Sequence, residues 1–99
     1  MHTVIRRYEG AGDSAEVARR ATEEFGPMLS SRPGFQGYYV VDAGDGVLAT
    51  ITVFDTEEAA VATTSAAADW VRESLPELAE LPPQVTAGST TGVPAATPA

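Results

Sequence analysis

The chain has no cysteine, so disulfide staples, thiolate nucleophiles and thiolate metal sites are all excluded. It has one histidine, His2, which cannot assemble a zinc site alone, and no metal is expected. Basic residues are scarce. Six against fourteen acidic residues leave a formal net charge of −8, which repels phosphate backbones and anionic lipid surfaces. Neither nucleic acid nor a membrane is therefore an expected partner. No stretch approaches the ~20 apolar residues of a membrane span, and residues 1 to 7 lack the apolar core of a signal peptide, so a cytoplasmic location is expected. Phosphate-cradling loops are missing too, because Gly44-Asp45-Gly46 lies between two strand-like runs rather than between a strand and a helix. Ser14, Ser30, Ser31 and Ser74 have no nucleophile-elbow context. The neighbours Glu23-Glu24 and Glu57-Glu58 fall about 100° apart on a helix, which does not make a paired-carboxylate site.

What is present is architecture. Two apolar, β-branched and aromatic runs, residues 34 to 41 and 47 to 54, flank Asp42-Ala43-Gly44-Asp45-Gly46 and predict a β-hairpin. A first strand is expected over 3 to 8, where Val4, Ile5 and Tyr8 accompany Arg6 and Arg7. Asp13, three residues before Glu16, has the spacing of a capping box in which the Asp carboxylate accepts a helix N–H and Glu16 returns to the cap amide. Val17, Ala21, Phe25, Met28 and Leu29 then form one helical stripe. Gly26-Pro27 interrupts it, so a kink or a restarted turn is expected before the exit at Arg32-Pro33-Gly34.

Asp55 and Glu58 repeat the capping-box spacing and open an alanine-rich second helix. On it Ala59, Ala62, Ala66 and Trp70 share a face by spacing, with Pro76 and Pro82-Pro83 ending the run. Residues 84 to 88 read as a fourth strand, and 89 to 99 as a flexible tail. The order strand, helix, strand, strand, helix, strand is that of an α+β, ferredoxin-like βαββαβ domain with a four-stranded antiparallel sheet, over residues 1 to 88. The hairpin carries apolar groups on both faces, while two helices cover one. A chain of 99 residues also buries only about 60 to 65% of its unfolded surface, so a homodimer through the second face is expected.

Pairing Val41 with Val47 places Gln36, Tyr38, Val40, Leu48, Thr50, Thr52 and Phe54 on one face, and Phe35, Gly37, Tyr39, Val41, Val47, Ala49, Ile51 and Val53 on the other. A bulge in the connection would alter that pairing. The first set mixes hydroxyls with aromatics, as the lining of a ligand pocket does.

Four segments together resemble small members of the antibiotic biosynthesis monooxygenase family, the dimeric α+β barrels. They are Phe25-Gly26-Pro27-Met28-Leu29-Ser30-Ser31-Arg32-Pro33-Gly34-Phe35, Tyr38-Tyr39-Val40-Val41-Asp42-Ala43-Gly44-Asp45-Gly46, Val53-Phe54, and Ala67-Ala68-Asp69-Trp70-Val71-Arg72-Glu73. The resemblance spans residues 3 to 88 and rests on the order and spacing of segments. It implies a ferredoxin-like protomer paired sheet to sheet with a second copy, a pocket between sheet and helices, and no cofactor. It further implies cofactor-independent oxidation or cyclisation of an aromatic, polyketide-like substrate. Thr50 and Phe54 stand where the family's cofactor-independent oxygenases carry asparagine and tryptophan. The second helix lacks the histidine used by its haem-degrading members.

Arg7, Tyr38 and Trp70 are thus the candidate catalytic residues, with Arg6, Thr50, Phe54 and Ala66 as candidate substrate contacts. Each has a plainer role open to it. Trp70 can fill core space above small alanines, and tyrosine is a favoured strand residue. Adjacent residues on a strand face opposite ways, so Arg6 or Arg7 must point into packed structure. It either stabilises an anionic substrate oxygen or pairs with a carboxylate such as Asp69 or Glu73. A void of several hundred Å³ lined by Tyr38, Thr50 and Trp70 would favour an enzyme. A filled space would favour the alternative, a non-catalytic dimeric ligand-binding or interaction protein of the same fold.

Overall fold

The computed structural model describes residues 1–93; residues 94–99 of the expected tail lie outside the described residues. Strands β1 (His2–Tyr8), β2 (Phe35–Gly44), β3 (Val47–Phe54) and β4 (Gln84–Ser89) form one antiparallel sheet in the order β2-β3-β1-β4. Between β1 and β2 run α1 (Ser14–Arg20), a π-helical turn (Ala21–Phe25) and α2 (Gly26–Ser30). Between β3 and β4 run α3 (Glu57–Val61), α4 (Thr64–Ser74) and α5 (Pro76–Ala79). This is the ferredoxin-like α+β fold expected from the sequence.

Asp13 caps α1, its carboxylate accepting the Glu16 N–H at 3.1 Å. The Glu16 carboxylate is taken by Arg19 in two hydrogen bonds, so the box is made from its Asp side. The interruption at Gly26-Pro27 is a restarted helix. Pro27 has no N–H to return to the carbonyl four residues back, and the ladder widens so that the Gly26 N–H donates to the Ala21 carbonyl, five residues back. Pro27 then opens α2, where a missing N–H costs nothing.

The second helical segment departs from expectation in two ways. Its cap is Thr56, whose hydroxyl accepts the Ala59 N–H at 3.2 Å, and not Asp55. Asp55 instead belongs to the strand end, its N–H donating to the Gly34 carbonyl at 2.8 Å. The helix is also not continuous. The buried Thr63 hydroxyl donates to the Ala60 carbonyl at 2.7 Å, and the chain turns at Ala62–Thr63 before α4 begins.

Hairpin register is shifted by two residues. Asp45 (φ 53°) and Gly46 (φ 76°) make a tight two-residue turn, β2 runs on to Gly44, and Val41 pairs with Ala49 while Tyr38 pairs with Thr52. A shift of two leaves the side chains from Gly37 to Val41, and those along β3, on their expected faces. The exception is Phe35, which an irregularity between Phe35 and Gly37 turns to the helix side, where its ring meets Phe54 edge-on at 5.8 Å.

The helix side of the sheet carries the core in two clusters, one around Tyr8, Val17, Leu48, Leu75 and Leu78, the other around Phe25, Leu29, Phe54 and Ala60. On the opposite side Tyr39, Ile51 and Ile5 form one cross-strand row, and Val41 and Ala49 sit in the next. Tyr39 is 60% exposed and Val41 47%. At the far edge β4 is exposed at every position, because the helices end short of it. Ser89 closes β4, and the Thr90 N–H donates to the Met1 carbonyl, so the chain is tied two residues beyond the expected boundary at 88.

Candidate functional site

Alternation along β1 puts Arg6 and Tyr8 on the helix side and Arg7 on the other. Arg6 lies opposite Thr50 of β3, and Tyr38 of β2 lies opposite Thr52. These five polar side chains line one chamber whose roof is Trp70, Ala67 and Val71 of α4. Its inner wall is Phe25. The Phe25 and Trp70 rings stack at 5.3 Å and 27°, and Tyr38 meets Phe25 edge-on at 5.8 Å.

Among the described residues no side-chain hydrogen bond or ion pair engages Arg6, Tyr8, Tyr38, Thr50 or Thr52, and no buried side-chain polar atom lacks a partner. Their polar atoms therefore open onto the chamber. All six basic residues of the chain are arginines, and Arg7, Arg19, Arg20 and Arg72 are each taken by a carboxylate near in sequence. The ion pair foreseen between Arg6 and Asp69 or Glu73 is not made, since Asp69 holds Arg72. Burial pushes the Tyr38 phenol well above its ordinary value, Tyr8 adds to the rise, and the Arg6 charge opposes it. Burial likewise raises Tyr8 against the pull of Arg6. Both phenols are thus neutral hydrogen-bond donors near pH 7, beside a permanent cation.

Of the residues singled out in the sequence, Arg6, Tyr38, Thr50 and Trp70 come together at this chamber. Arg7 does not: it faces the other side and pairs with Glu9 at 2.6 Å. Phe54 is fully buried against Phe35 in the second core cluster and has no surface toward the chamber. Ala66 is absent from the lining and Ala67 is in it: both lie within a turn of Trp70 on α4, and Ala67, three residues before it, is the one that meets the chamber. Tyr8 was not foreseen as a site residue, although it stands two positions from Arg6 on the same strand and so on the same face.

The chamber holds about 40 Å³, room for water molecules and not for an aromatic ring. Beside it lies an open groove of about 310 Å³ between β1 and α4–α5. The two share Arg6, Tyr8, Ala67, Val71 and Leu78 as walls. The void of several hundred Å³ is therefore present, but Tyr38, Thr50 and Trp70 line only its small inner neighbour. No three His, Cys, Asp or Glu side chains converge as a metal site among the described residues, and no helix among them is long and apolar enough to cross a membrane.

No protein-family model matches the sequence, and no curated protein matches it. Solved structures do match the fold. A monooxygenase from the gene ActVA-Orf6 of Streptomyces coelicolor, in complex with nanaomycin D, superposes with a TM-score of 0.72 at 17% identity, covering 97% of this chain and 92% of that one. A candidate antibiotic biosynthesis monooxygenase from Deinococcus radiodurans gives 0.70 at 13% identity over 98% and 99% of the two chains. SnoaB, a cofactor-independent oxygenase from Streptomyces nogalater, gives 0.68 at 16% over 93% and 94%. Over more than nine-tenths of its length the chain shares the fold of antibiotic biosynthesis monooxygenase structures.

Proposed function

We propose that the chain is a cytoplasmic, homodimeric enzyme that, without a cofactor, oxidises with molecular oxygen or cyclises an aromatic, polyketide-like small molecule. The observation that carries this reading is the set of polar groups, Arg6, Tyr8, Tyr38, Thr50 and Thr52, that have no side-chain partner among the described residues and converge on an otherwise apolar chamber. Removing a proton from a phenol or an enolisable ketone leaves charge on oxygen. A fixed guanidinium and neutral phenol donors in a water-poor site stabilise that charge as it develops. Thr50, across from Arg6, orients the substrate by a hydrogen bond, and the Trp70 ring forms a wall. The fold neighbours, which include a cofactor-independent oxygenase, support the same chemistry. The apolar outer face of the sheet supports the dimer.

One observation favours the second reading, a non-catalytic dimeric ligand-binding or interaction protein. The Phe25–Trp70 stack leaves the chamber only about 40 Å³. Oxygen uptake and binding with a hydroxylated naphthalene as probe separate the two, because binding without uptake selects the non-catalytic protein. Tyr38→Phe and Trp70→Ala, each still dimeric, are expected to abolish turnover or binding. Unchanged uptake and affinity in both would remove the chamber from consideration.

A further inference from the structure

The chain carries fourteen acidic residues, yet none of those described lines either the chamber or the groove beside it. The charged and titratable groups on those walls are Arg6 and Tyr8 from β1, Tyr38 from β2 and Arg72 from α4. Arg72 is already held by Asp69 on the outer rim. Arg6, by contrast, is half-buried at the seam of the two compartments, and among the described residues no carboxylate answers it. The rest of the groove is small or apolar, with Ala68, Val71, Leu78, Leu81 and Pro83 along its length.

We propose that the groove between β1 and α4–α5 receives the apolar body of an acidic ligand, whose anionic oxygen is bound at the inner end by the Arg6 guanidinium with the Tyr8 hydroxyl. The inference rests on the reading of the chamber as a small-molecule site and adds the place of the ligand's bulk and its charge. Volume sets the division, since a ring system fits the groove and only the reacting edge reaches the chamber. Charge complementarity sets the chemistry: an uncompensated arginine in a partly dry pocket favours an oxyanion, and its planar fork matches a carboxylate in two hydrogen bonds. A phenolate offers the same oxygen from a different source.

Calorimetric titration of the full chain with naphthalene-2-carboxylate, its neutral carboxamide and 2-naphthol tests this. The acid is expected to bind about 10- to 100-fold more tightly than the amide, the difference that a hydrogen-bonded charge makes. Arg6→Met should erase that preference and Tyr8→Phe reduce it. Ala68→Trp, at an exposed position on the groove wall, should weaken acid and amide alike without changing the melting temperature. Tighter binding of 2-naphthol above the pH at which it ionises would identify the phenolate as a second source of the oxyanion. Equal affinity for acid and amide, or a preference that survives Arg6→Met, overturns the anion site while leaving the chamber's role intact. Failure of all three probes to bind overturns both.

Discussion

Replacing Ile51 by lysine tests whether the outer face of the sheet meets a second copy. Ile51 sits on an inner strand, paired with Tyr39 on one side and Ile5 on the other, and the next rows hold Val41 with Ala49 and Gly37 with Val53. In a lone protomer the new ammonium would meet water, and the cost is the strand preference alone, below about 1 kcal/mol. In a sheet-to-sheet dimer the same group is enclosed. No carboxylate of β1, β2 or β3 shares this face, and the nearest charge, Arg7, is already paired with Glu9. An unpaired buried ion costs several kcal/mol, so about 3 kcal/mol for each of two copies gives ~6 kcal/mol, or more than about 10⁴-fold in dissociation constant. Sedimentation velocity at micromolar concentration should show a wild-type dimer and an Ile51→Lys monomer with the same circular dichroism. A wild-type chain that sediments as a folded monomer there, or a lysine variant that stays dimeric, refutes the reasoning.

Two further outcomes follow from the hydrogen-bond and charge pattern. Folded-state values of Tyr38 and Tyr8 are raised by burial, so the neutral phenols favour the native state; stability is intact below pH ~10, the ordinary phenol value, and falls as pH rises through the folded values. Thermal melts from neutral to alkaline pH should show this fall, smaller in Tyr38→Phe, and a flat profile would contradict it. Thr56→Ala should cost about 1 kcal/mol in a denaturant melt, as loss of an N-cap does. A neutral Thr56→Ala beside a costly Asp55→Ala would move the cap back to Asp55.

Local chemistry was legible wherever it acts over a few residues. Asp13 caps α1 at the spacing read from the chain, and Gly26-Pro27 breaks the helix because a missing N–H acts on one turn. Tyr38 and Tyr39 face opposite ways because strand alternation survives a two-residue slip. The misplaced features are those that tertiary contacts decide. Thr56 and Asp55 are both good caps by type, and what separates them is the Asp55–Gly34 bond across the sheet end. Ala66 and Ala67 stand four and three residues before Trp70, both within its helical stripe, and only the packing of α4 on the sheet separates them. Phe35 is carried to the core by an irregularity that no alternating pattern reveals. Tyr8 fits a strand pattern whether or not it faces a site, and only the helices packed over that face enclose it with Arg6.

Arg6 and Tyr8 differ in what the fold asks of them. The Tyr8 ring is packed among Val17, Leu48, Leu75 and Leu78, so its hydroxyl is placed by the same contacts that hold the first core cluster together. Removing the hydroxyl alone leaves that packing in place. Arg6 contributes no ion pair within the described residues, and a half-buried guanidinium without a counter-charge disfavours the folded chain through lost hydration. An apolar side chain at that position would fill the chamber and relieve the cost. The strand therefore keeps a residue that core packing does not require, at the point where chamber and groove meet. A bound oxyanion offsets the lost hydration, so ligand affinity and protomer stability are opposed at Arg6, whereas at Tyr8 the ring serves stability and the hydroxyl serves the ligand.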